Sequence, residues 1–213
     1  MQLNGEEALI VVDVQNDFVS GSLAISGAEA VIDPINRLAA AFEHVILTQD
    51  WHPEGHVSFA SAHPGKQHGD LVTVDYGPQR LCRDHCVQGT WGAEFHPGLQ
   101  VTKSELVLRK GYRRAVDSFS AFYENDGSTV TGLGEYLKAR GFRRVFCTGL
   151  ARYGCVKATA EGAIRDGFSV VMVDDACKGA DLGGEADLQA AAALAKLGVV
   201  RVDTADVLAG LED

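Results

Sequence analysis

Residues 144–174 read RVFCTGLARYGCVKATAEGAIRDGFSVVMVD. An apolar run at 144–149 gives way to a short loop, then to a stretch of helical character at 155–167, then to a second apolar run at 169–174. Strand, helix and strand in succession call for a parallel sheet with helices on its faces. The rest of the chain keeps this rhythm. Strand-like runs recur at ALIVVD (8–13), HVILTQ (44–49), ELVLRK (105–110) and VVRV (199–202), with helical patterns at roughly 29–42, 131–140 and 185–197. Runs so nearly continuous in Val, Ile and Leu suit strands covered on both sides. The expected fold is α/β, a three-layer sandwich whose central, mostly parallel sheet is flanked by helices.

At 213 residues the chain suits one domain over 1–213, large enough to bury its core without staples. One long segment, 50–104, breaks the alternation. It carries six of the seven histidines and both tryptophans, and a long irregular insertion in a compact domain is more often functional than idle. No apolar run approaches the roughly 18 residues of a membrane span. The start, MQLNGEEALIVVD, has no basic stretch leading into an apolar one, so a cytoplasmic setting is expected. Five cysteines, an odd number, fit free thiols in a reducing compartment. A net charge of −10 repels nucleic-acid phosphates and anionic membranes. The one basic cluster, RKGYRR (109–114), reads as a solvated strand end, apart from Lys110.

In an open α/β sheet, ligands sit beyond the carboxyl ends of the strands. Asp13 ends the first strand, Lys110 ends the third, and Cys155 follows the fourth after the loop GLARYGC (149–155). Singly, each has a bland reading: a turn-capping Asp, a solvated Lys, a small apolar Cys. Together on one edge they form a kit for amide hydrolysis. A thiol at a helix start beside an ammonium is expected to have a lowered pKa. An Asp there could take the thiol proton and return it to a leaving amine, while backbone N–H groups hold the oxyanion. The second constellation is Asp50, His52 and His56 in QDWHPEGHVSF, joined from a distance by His85. A D-x-H spacing sets both side chains on one side of an extended segment, and such ligand sets suit Zn²⁺ or another divalent transition metal. The alternative is a loop that happens to be His-rich. His44, His63, His68 and His96 are read as ordinary.

VVDVQNDF, TQDWHPEGHVSF, DHCVQGT, GAEFHP, KGYRRAVDSFSAF, and GLA followed three residues later by CVKATA occur in this order over nearly the whole chain. In these motifs the sequence resembles the nicotinamidase/pyrazinamidase branch of the isochorismatase-like cysteine hydrolases. The resemblance implies a triad of Asp13, Lys110 and Cys155, and an oxyanion hole from the N–H groups of Ala151 and Cys155. It also implies a metal, Zn²⁺ with Mn²⁺ or Fe²⁺ as alternatives, on Asp50, His52 and His85, with His56 nearby or an additional ligand. A cis peptide is expected after Ala151. The implied reaction takes nicotinamide to nicotinate and ammonia through a thioester, and the implied partners are a small amide and further copies of the chain.

This sequence departs from the resemblance around the substrate. Where the family has Thr-Asp and an aromatic residue before the cysteine, Arg152, Tyr153 and Gly154 stand. Cys82-Arg83 replace a Trp-Pro whose indole stacks on the pyridine ring. Phe119 replaces a frequent Tyr, while Phe18 keeps the family's aromatic wall. Phe18, Cys82, Phe119, Arg152 and Tyr153 are therefore the expected substrate contacts. Trp91 either fills the vacated volume or packs as a surface aromatic. An arginine fork suits a carboxylate, so an anionic amide of the maleamate or N-carbamoyl type stays open as a substrate through Arg152. A silenced binding protein is the third reading. Arg83 is expected in solvent.

Overall fold

The computed structural model describes residues 5–100, 102–179 and 184–210. Its centre is a six-stranded, all-parallel sheet in the order β5-β2-β1-β6-β7-β8. The strands are β1 (Glu7–Val12), β2 (Val45–Asp50), β5 (Ser104–Lys110), β6 (Arg144–Leu150), β7 (Ser169–Lys178) and β8 (Val200–Val202). A separate antiparallel hairpin, β3 (Leu71–Val74) and β4 (Gly77–Arg80), lies in the 50–104 insertion. The helices are α1 (Asn16–Val19), α2 (Ile32–Ala41), α3 (Leu133–Ala139), α4 (Lys157–Arg165), α5 (Gly184–Lys196) and α6 (Thr204–Ala209).

Successive side chains of β1 point to opposite faces and feed two cores. Leu9 and Val11 join α2 residues Ile35 and Leu38 and α6 residue Val207 on one side. Ala8, Ile10 and Val12 join α3 residue Leu137, α4 residues Ala160 and Ala163, and Leu194 of α5 on the other. This is the expected three-layer sandwich, and it explains why the central strand runs are so nearly continuous in apolar residues. Among the described residues no helix is long and apolar enough to cross a membrane.

The order of the strands positions the site. From β1 the chain moves outward to β2 and β5, then returns to place β6 on the other flank of β1. The direction of winding thus reverses between β1 and β6, and a crevice opens there at the carboxyl ends. Register aligns those ends: Asp50 pairs with Lys110, Val12 with Thr48 and Val12 with Gly149. Gly149 is a steric requirement. Its φ is +105°, and a Cβ there would come within 2.1 Å of the Val12 carbonyl oxygen.

Candidate active site

Four strand ends deliver four side chains to the crevice. Asp13 follows β1 in a left-handed conformation (φ 50°) that aspartate tolerates better than most residues. Its backbone N–H reaches the Thr48 hydroxyl at 3.2 Å, and its Oδ1 accepts that hydroxyl at 2.6 Å. Lys110, 1 % exposed, ends β5. Its ammonium lies 2.7 Å from Asp13 Oδ2 and 3.5 Å from Cys155 Sγ, donates to the Ser118 carbonyl at 3.1 Å, and also donates to Asp50 Oδ1. Asp13, Asp50 and Cys155 could together hold a cation, and Lys110 is that cation.

The electrostatics follow from burial and these contacts. Burial opposes the charge on Lys110, but Asp13 and Asp50 outweigh it and hold the ammonium well above its ordinary pKa. Burial likewise pushes Asp13 above the usual carboxylate range, against the pull of Lys110. Cys155 corrects the sequence expectation of a lowered thiol pKa. The side chain is buried, desolvation raises it well above an ordinary thiol, and the neighbouring charges of Asp13 and Asp50 add to this while Lys110 alone opposes. The resting sulfur keeps its proton. Asp13, which makes a hydrogen bond with it and is held by Lys110 through Oδ2, is placed to receive that proton.

Beside this triad stand Asp50, His52 and His85, all buried, with one ligand atom from each within 4.8 Å of the others. His52 Nδ1 lies 2.9 Å from the Gly111 carbonyl, and His85 Nδ1 lies 2.8 Å from that of Arg83. A carbonyl can only accept, so each Nδ1 carries the proton and each Nε2 presents a lone pair. Those Nε2 atoms lie 3.5 and 3.8 Å from Asp50 Oδ2, the oxygen that Lys110 leaves open. Two imidazoles and a carboxylate converging on one point fit a divalent transition metal. His56 lies against His52 with ring centroids 4.2 Å apart, and burial and His52 hold it at a pKa of about 4; its Nδ1 accepts the Ser58 N–H at 3.3 Å and its Nε2 lies 3.3 Å from the Val116 carbonyl, so both ring nitrogens are engaged by the protein.

The supporting residues were not foreseen. Gln15 clamps the Asp50 peptide, its amide donating to the Asp50 carbonyl and its oxygen accepting the Asp50 N–H, both at 2.8 Å. Thr48, the Ser118 carbonyl and the buried Asp117 complete the surroundings. Gln15 and Thr48 lie within the motifs VVDVQNDF and TQDWHPEGHVSF, but their own residue types give no more signal than a polar residue next to an apolar strand run, which fits many surface positions equally well.

The expected substrate contacts fare unequally. Phe18 is buried and meets His85 edge-on at 5.5 Å between centroids. Cys82 and Tyr153 are half-buried, and Phe119 is 39 % exposed. Arg152 is a correction. Its Nη2 donates to the backbone carbonyls of Asp174 and Cys177, at 2.5 and 2.7 Å, which ties one arm of the guanidinium to β7, while Nε is buried without a hydrogen-bond partner among the described residues. The cause is local: β6 and β7 lose register between Cys147 and Gly149, freeing carbonyls that Arg152 satisfies. Trp91 is 58 % exposed and fills no pocket volume, and Arg83 is exposed as expected. The cis peptide is Leu150-Ala151, one residue earlier than expected. Ala151 precedes, and Cys155 lies in, the tight turn Arg152–Val156 before α4, where the Ala151 carbonyl accepts the N–H groups of Gly154 and Val156 at 2.9 and 3.2 Å.

Residues 7–206 match the Isochorismatase domain. A nicotinamidase of Acinetobacter baylyi is 46 % identical over 202 residues, covering 94 % of both chains. In structure, the Acinetobacter baumanii nicotinamidase pyrazinamidase superposes with a TM-score of 0.93 at 47 % identity, over 97 % of this chain and all of that one. The pyrazinamidase of Pyrococcus horikoshii in complex with zinc gives a TM-score of 0.74 at 30 % identity, over 93 % and 99 %. With its switch-point crevice and the match running almost end to end, the chain belongs to the isochorismatase domain family.

Proposed function

We propose that the protein is a nicotinamidase, hydrolysing nicotinamide to nicotinate and ammonia with Cys155 as nucleophile. The observation that carries this is the buried contact of Cys155, Lys110 and Asp13 beside the convergent nitrogens of His52 and His85. Asp13 takes the proton from Cys155 as the sulfur attacks the carboxamide carbon. The N–H groups of Ala151 and Cys155 hold the resulting oxyanion. Asp13 then delivers the proton to the amide nitrogen, the C–N bond breaks and ammonia leaves, with a thioester remaining on Cys155. Water, deprotonated by Asp13, attacks the thioester; nicotinate leaves and the proton returns to sulfur. Lys110 stays charged throughout, keeps the two carboxylates in place and stabilises the thiolate while it exists.

Asp50, His52 and His85, with His56 beside them, would hold a divalent transition metal, zinc first and Mn²⁺ or Fe²⁺ as alternatives, which when bound supplies a Lewis-acidic seat for the pyridine nitrogen. Phe18, Cys82, Phe119 and Tyr153 border the ring. The anionic-amide reading is the less favoured, because Arg152 has one arm of its guanidinium on the backbone of β7. Ammonia release from purified, zinc-loaded protein tests the substrate, with nicotinamide set beside neutral and carboxylate-bearing amides. Best turnover with nicotinamide is expected, and a preference for a carboxylate-bearing amide would overturn the reading.

A further inference from the structure

Asp117 has no part in the chemistry above, yet it is a carboxylate 3 % exposed at the wall of the site. One of its oxygens lies within 4.8 Å of ring nitrogens of both His52 and His56, in a cluster buried at all three positions. Its Oδ1 accepts the Ser118 N–H at 2.8 Å and its Oδ2 meets the Gln79 amide at 3.3 Å, both neutral donors. Among the described residues no lysine or arginine pairs with it. A buried charge without a counter-ion is costly, so its compensation has to come from elsewhere.

The charges around it suggest from where. The carboxylates of Asp13, Asp50 and Asp117 stand together at this wall, and the one lysine among them, Lys110, pairs with the first two only. Asp17, the other buried aspartate of this neighbourhood, has its oxygens on the N–H groups of Ser22 and Cys86 and belongs to neither histidine cluster. Asp117 is also braced from outside: Gln79 of β4 contacts its carboxylate and the Tyr76 hydroxyl contacts both Gln79 and the Asp117 N–H. The hairpin β3–β4 thus contacts the outer side of this carboxylate through Gln79 and Tyr76.

We infer that Asp117 is a further acidic group of the divalent-cation seat, set on the His52 side and acting there to retain the cation. The inference rests on the proposed seat at Asp50, His52 and His85. Zinc affinity by chelator competition tests it, alongside thermal melts of the metal-free proteins. Asp117→Asn, which keeps an acceptor for the Ser118 N–H, is expected to lose roughly ten-fold or more in affinity, and Asp117→Glu to recover most of it, with metal-free melts near wild type. Wild-type zinc affinity in Asp117→Asn overturns the inference if Asp50→Asn loses zinc. Unchanged affinity in Asp50→Asn overturns the seat itself. If Asp117→Asn does not fold without metal, Asp117→Ser carries the same test, and wild-type affinity there overturns the inference.

Discussion

Lys110 is the residue on which the site depends, because two buried carboxylates and a thiol converge on its ammonium. Lys110→Met removes the cation and leaves Asp13 and Asp50 facing each other in a dry site. A loss of about 3–5 kcal/mol in unfolding free energy, measured by urea titration of the metal-free protein, is expected. In the proposed mechanism Asp13 sets the acid limb of activity. It must be ionised to accept the thiol proton, and burial raises its pKa above the ordinary 3.8. Activity is therefore full above that raised value and lost as pH falls through it. A profile of kcat/KM against pH should show the limb displaced upward from 3.8; a limb at or below that value would contradict this role. At this scale the reactive residues were legible, since each ends or follows an apolar strand. The protonation state of Cys155 was not, because burial is a property of the assembled sheet and it outweighs the local field of helix start and ammonium.

Elements hold these residues through contacts that motif spacing does not reveal. The turn carrying Cys155 is tied to β7 by Arg152, which caps carbonyls at the register shift. Arg152→Ala loosens that turn without touching the ring, so kcat should fall about ten-fold with KM little changed, because small misplacements of a reacting group are costly. Steady-state kinetics on nicotinamide check this, and a rise in KM alone would place Arg152 in substrate binding instead. Behind the turn, α4 lies against the segment after Lys110: a Cβ at Gly162 would meet Ser120 Oγ at 2.6 Å and Phe122 Cβ at 2.8 Å. Gly162→Ala is expected to cost roughly 1–3 kcal/mol in denaturant unfolding through overpacking. The strands of the main sheet were readable from their apolar runs. The hairpin β3–β4 was not, since its strands are four residues each, one is interrupted by Pro78, and most of their residues are not buried. β7 also runs on to Lys178, past the Asp174 and Asp175 that end its apolar stretch, and α6 follows β8 too briefly to show a period.

The molecule as a whole is a sheet with a core on each face and a polar crevice where its winding reverses. A ligand that binds only the folded state stabilises the whole domain by mass action. Removing a bound metal held at about 100 times its Kd should cost about 2.7 kcal/mol, a drop in Tm of roughly 5–10 °C for a domain of this size. Differential scanning calorimetry with and without chelator checks this, and coincident melts would count against a metal seated in the fold. Activity, however, is claimed for one sulfur. The most direct measurement is ammonia release from nicotinamide by the zinc-loaded protein and by Cys155→Ala, the two compared for matching circular dichroism. Turnover by the parent chain and a loss of roughly 10³-fold or more in the variant are expected; turnover that survives in Cys155→Ala would contradict the nucleophile and the account built on it.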